Sequence, residues 1–197
     1  MKIVIITFWL LIPLGVVAYH YNAGEKHVEQ DQAQELIEQA YQYTKDEEPK
    51  KAIDSFREAI ALLSDDEKKT ERRLRLEIIK IQLNNAGLVK ATKEITALLG
   101  EMKEDKGVDT DQLREARSIY ASTRYHMAYL MKLEDLPKEY WEPEIEAARQ
   151  EYKMLATECE SAGDKEAAEG YLEDLETSIR LARAELPDLQ GRKIPVP

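Results

Sequence analysis

From residue 28 to residue 186, apolar side chains recur at intervals of three and four, segment after segment, with short breaks between. That is the period of a helix burying one face. No run alternates in the manner of a strand. The eight glycines and seven prolines fall mostly between the periodic segments. Within the segments, Ala, Leu, Glu, Lys and Gln, the strong helix formers, dominate. The chain therefore reads as all-α.

The spacing predicts seven helices after the N-terminus, joined mainly by turns short enough to make antiparallel hairpins. The first covers residues 28–45, and the second 50–63 with Pro49 suited to its first position. A Ser64-x-x-Glu67 capping box starts the third, which runs to Asn84. After a break at Asn85-Ala86-Gly87 comes a helix over 88–103, then one over 110–133 capped by Asp109. Residues 135–144 carry two prolines and read as a loop. Helices over 143–161 and 165–186 follow, with Pro187 as a stop. The tail, 187–197, reads as extended or disordered.

Residues 1–24 read as a transmembrane anchor or signal peptide. No charge lies between Ile3 and Tyr19, and those residues as a helix rise roughly 25 Å, close to a hydrocarbon core. Tyr19 and Tyr21 suit the interface. The competing reading is cleavage near Val16-Val17-Ala18 and secretion. Lys2, ahead of the segment, favours an inside N-terminus and places the remainder outside the cytoplasm, in the periplasm if the source is bacterial.

The formal net charge of −11, with 34% charged residues, repels a nucleic-acid backbone and argues against such a partner. The single cysteine, Cys159, excludes an internal disulfide and a cysteine-cluster metal site.

Two hairpins share a finer pattern. Leu36, Ala40 and Tyr43 precede Ala52, Phe56 and Ala59, the small alanines allowing close helix approach beside two aromatics. Near the C-terminus Tyr152, Leu155, Ala156, Gly163, Ala168, Leu172 and Leu175 echo it, with Cys159 and Leu172 where aromatics would stand. Ile78, Ala91, Ile95 and Leu98 keep the spacing in a weaker middle pair. This pattern resembles the tetratricopeptide repeat (TPR), although Ala52 and Ala91 are 39 positions apart against about 34 in that family. The resemblance implies a short right-handed solenoid of stacked hairpins over residues 28–186. The competing reading is an irregular helical bundle.

By the same resemblance, the chain is a membrane-tethered, extracytoplasmic scaffold that binds a protein or peptide, in envelope assembly or protein translocation. The groove would be lined from the first helix of each pair, at Gln34, Ile37, Tyr41 and Thr44, then at Arg73, Leu76, Lys80 and Leu83. The alternative is a structural, self-associating helical protein without a peptide groove.

Other residues read as structural. Cys159 is expected to pack between helices, and His126 to share a core stripe with Ile119, Thr123, Leu130 and Leu133. The basic run Lys68, Lys69, Arg72, Arg73 and Arg75 alternates with acids, as on a solvated face. Tyr140 and Trp141 are expected to be buried plugs between helices. His20 and His27 lack a third metal ligand. No P-loop, GxSxG or HExxH motif occurs; neither an enzyme, a cofactor nor a metal is expected.

Overall fold

In a computed structural model, residues 28–189 are described. The N-terminal segment read as a membrane anchor, and His20 and His27, lie outside them. Every regular element among the described residues is helical. They are α1 (28–45), α2 (Pro49–Leu62), α3 (Lys68–Asn84), α4 (Leu88–Glu104), α5 (Thr110–Leu133), α6 (Lys138–Ala162), α7 (Lys165–Arg183) and the single turn α8 (Leu186–Leu189). None of these helices is long and apolar enough to cross a membrane. The chain divides into two compact units, with the division between Glu71 and Arg72 in the first turn of α3.

The first unit holds the α1–α2 hairpin. Ala33, Ile37 and Ala40 of α1, and Ala52, Phe56 and Ala59 of α2, are buried. The residue packed on Phe56 is Tyr41, edge-on at 5.2 Å. Tyr43, the other aromatic of the repeat pattern, is half-buried. Its ring lies instead under the Lys51 ammonium at 5.3 Å.

In the second unit, α3 and α4 are antiparallel. Arg72 reaches Asp105 (2.6 Å), Arg75 grips both oxygens of Glu101 (2.6 and 3.1 Å), and the Gln82 amide donates to Glu94 (2.9 Å). Two of the five residues of the basic run, Arg72 and Arg75, are thus paired across the hairpin. Helices α5 and α6 repeat the arrangement through Arg124 to Glu144 (2.8 Å) and Arg117 to Glu151 (2.8 Å). Alternate helices also meet: Lys80 of α3 contacts Glu115 of α5 at 2.5 Å, and Lys103 of α4 contacts Glu151 of α6 at 3.6 Å.

The long helix α5 joins two apolar cores. Its first half packs with Leu76, Ile79, Ile95, Leu98 and Met102 of α3 and α4. Its second half packs with Ile145, Leu155, Leu181 and Leu189 of α6, α7 and α8. Each fully buried leucine or isoleucine contributes about 1.5–3 kcal/mol relative to exposure. Cys159 is fully buried, in keeping with a packing role.

A common turn closes α1, α3, α5 and α6. In each, an amide bonds back to a carbonyl five residues earlier: Glu48 to Tyr43, Gly87 to Gln82, Leu136 to Met131 and Asp164 to Cys159, at 2.8–3.0 Å. Such a turn places one residue in the left-handed region. The residues there are Glu47 (φ 57°), Ala86 (57°), Asp135 (54°) and Gly163 (79°).

Four boundaries differ from the expectation. Helix α3 starts at Lys68, because Glu67 reaches back to the Ser64 amide (3.1 Å) and hydroxyl (2.7 Å) in a turn that precedes the helix. Helix α6 starts at Lys138, so most of the supposed loop is helical. Pro143 lies inside it but near its start, where the ring removes only the bond to the Glu139 carbonyl. Tyr140 is therefore 57% exposed on the first turn, while Trp141 is half-buried against the α5–α6–α7 core. Helix α7 ends at Arg183, and Pro187 sits in α8, whose Leu189 is buried. The start of the supposed tail is thus part of the core.

The end of α7 is closed from outside. Lys132 of α5 donates its ammonium to the Leu181 and Ala182 carbonyls, at 2.9 and 3.2 Å. The same nitrogen stands 4.0 Å from the centre of the Trp141 ring. Burial lowers the Lys132 pKa from its ordinary value.

Candidate functional site: a cleft along α5

The second unit carries an open cleft of about 580 Å³. Helix α5 lines it with a polar stripe at helical spacing, Asp111, Glu115, Ser118, Ser122 and His126, beside Arg114, Ile119 and Tyr125. Helix α3 adds Lys80 and Asn84, α6 adds Tyr152, and α7 adds Tyr171, Asp174 and Thr177. The three α7 residues are three apart and so share one face. Alternate helices α3, α5 and α7 thus supply almost the whole lining.

Most charges in the cleft are matched. Lys80 lies between Glu77 (3.0 Å) and Glu115 (2.5 Å). Burial works against its charge, but the bonds from Glu115 and Glu77 outweigh that and raise its pKa. Arg114 faces Asp111 at 3.5 Å. His126 holds its Nδ1 2.7 Å from the Ser122 carbonyl oxygen of its own helix.

Two phenols stand side by side in the lining. The rings of Tyr152 and Tyr171 stack at 6.5 Å. Ser118 neighbours the Tyr171 phenol and Ser122 the Tyr152 phenol. Burial is the main reason both phenols titrate above the ordinary tyrosine range, with the Asp174 charge adding to it. Burial, then the neighbouring Glu173, raises the Asp174 pKa as well.

Of the eight residues predicted to line a groove, only Lys80 lines this cleft. Leu76 is fully buried and offers no contact surface, while Leu83 is half-buried and packs against the same core. Arg73 is exposed. In the first unit, Ile37 is buried, Gln34 and Tyr41 are exposed, and the Thr44 hydroxyl donates to the Ala40 carbonyl (2.9 Å). A shallow depression of about 270 Å³ there is lined by Gln32, Glu35, Leu36, Gln39 and Leu62, none of them predicted.

Other expectations shift by one helical face. His126 shares its stripe with Ser122 and Ser118, not with Thr123, which is fully buried and bonds the Tyr120 carbonyl (2.8 Å). Leu172 is exposed, and Tyr171 is the α7 aromatic that faces α6. The missed signal was polar: small serines on a long helix flanked by apolar faces, and Tyr-x-x-Asp-x-x-Thr on α7. Among the described residues no group of three or more His, Cys, Asp or Glu is placed to hold a metal.

Comparison with protein-family models, curated proteins and solved structures returns no match.

Proposed function

We propose that the chain is a membrane-tethered, TPR-like helical scaffold whose second unit binds a segment of another protein in the α5 cleft. The observation that carries this reading is the cleft itself, into which the alternate helices α3, α5 and α7 all project. Stacked hairpins expose one row of helices on one side, and that row is where such folds offer a binding surface. The antiparallel α3–α4 and α5–α6 pairs, the meetings of α3 with α5 and α4 with α6, and the recurring turn support a repeat. The uncharged run of residues 3–19 supports the tether and an extracytoplasmic location.

The reading is one of binding rather than catalysis. The only thiol, Cys159, is fully buried, and the cleft cations Lys80 and Arg114 are engaged by carboxylates.

A photo-crosslinking residue at Thr177, tested in native membranes, checks the proposal. The cleft position should give an adduct with a different protein, whereas the same probe at exposed Lys153 on α6 should not. An adduct only with a second copy of the chain would favour the self-associating alternative. Equal labelling from both positions would overturn the cleft as the binding surface.

A further inference from the structure

The carboxylates of the cleft are not equivalent. Asp111 has Arg114 and Glu115 has Lys80. The Asp174 carboxylate makes no hydrogen bond or ion pair among the described residues; only its backbone carbonyl is engaged, by the Ser178 hydroxyl at 2.9 Å. Burial, then the like charge of neighbouring Glu173, disfavours its ionised form. It is also half-buried, so water compensates it incompletely.

Its surroundings select the sign of a ligand. Asp174 is close enough to Tyr152 and Tyr171 for its charge to act on both phenols. Aromatic faces attract cations, and a carboxylate beside them completes a cation site. Counting His126 as neutral, the lining holds two cations and three anions, so an anionic ligand would add repulsion. An apolar group would leave Asp174 buried without compensation.

We infer that Asp174, together with the Tyr152 and Tyr171 rings, receives an ammonium or guanidinium side chain of the bound segment. The inference rests on the peptide-binding reading above and names the chemistry that site selects. Lys80 and Arg114 do not compete for Asp174, because each is held by its own carboxylate. The length of the cleft from Asp111 to His126 along α5 leaves room for chain on either side of the cation.

The test uses the full chain in lipid nanodiscs and three fluorescein-labelled amidated pentapeptides. They are identical except for a central lysine, norleucine or glutamate, and binding is read by fluorescence anisotropy. The lysine peptide should bind most tightly and the glutamate peptide least. Asp174→Asn, nearly isosteric, should weaken the lysine peptide about ten-fold and leave the norleucine peptide unchanged. Thr177→Arg, which obstructs the cleft, should weaken both. Equal affinity for lysine and glutamate, or no effect of Asp174→Asn, would overturn the cation site. If norleucine binding were still lost in Thr177→Arg, the peptide-binding reading would survive that failure. Failure of any peptide to bind would overturn both. Displacement of the lysine peptide by cadaverine, sensitive to Asp174→Asn, would support cation recognition and show that a free amine suffices.

Discussion

Arg117 on α5 and Glu151 on α6 form an ion pair at 2.8 Å in which both side chains are buried. Arg117 also takes both oxygens of Glu158 at 2.7 and 2.8 Å, and Lys103 approaches Glu151 from α4 at 3.6 Å. Burial opposes the Arg117 charge, but its bonds to Glu158 and Glu151 outweigh that and raise its pKa. The pair thus ties three helices at a point where few waters reach.

Arg117→Met should strand Glu151. Lys103 offers partial compensation from an exposed position, so the expected loss is about 2–4 kcal/mol rather than the upper end for a broken buried pair. Adding Glu151→Leu should recover much of it, since an apolar pair of similar volume often replaces a buried ion pair without loss. Chemical denaturation of the single and double variants measures both.

Adjacent substitutions in the α3–α4 turn should act in opposite directions. Ala86 has φ 57°, where a side chain is crowded. Ala86→Gly should therefore stabilise by up to about 1 kcal/mol, less the entropy a glycine adds to the unfolded chain. A Cβ at Gly87 would stand 2.8 Å from the Gln82 carbonyl oxygen, the acceptor that closes the turn. Gly87→Ala should destabilise, and thermal melts of the two variants should bracket the wild type.

Asp174 gives stability a specific pH dependence. Its folded pKa lies above the ordinary aspartate value, so between the two the folded state binds more protons than the unfolded one. Stability from this group is greatest at acid pH, falls as pH rises through that window, and stays low above it. The charged or titratable groups around it are Lys80 on α3, Asp111, Arg114, Glu115 and His126 on α5, Tyr152 on α6, and Tyr171 and Glu173 on α7. Asp174→Asn should raise Tm at pH 7 by about 1–3 °C and make little difference near pH 3. A smaller gain at pH 3 than at pH 7 is the required sign.

The helical class was legible because the apolar period is unambiguous. Helix α5 was legible to the residue because Asp109 caps it, accepting from the Asp111 and Gln112 amides at 3.1 Å each. The start of α6 was not. Pro137 and Pro143 look like loop punctuation, yet one precedes the helix and the other costs it a single bond near its beginning. The cleft was not legible from apolar spacing because much of its α5 lining is polar. Glu115, Ser118, Ser122 and His126 become a surface only when α3 and α7 flank them. The family pattern pointed to first-helix positions such as Leu76, but that side chain belongs to the core, and Lys80, one turn on, is the residue that reaches the cleft.

The Lys132–Trp141 contact makes the second unit optically self-reporting. Trp141 is the only tryptophan among the described residues, and a protonated amine stands over its ring at the point where α7 ends. That positive charge biases the indole's excited state, so emission colour should follow the docking of α7 against α5. Because burial lowers the Lys132 pKa, alkaline titration should shift the emission before exposed lysines lose their protons, with helical circular dichroism unchanged. Lys132→Met should abolish that alkaline step and leave Trp141 emission flat across the same range.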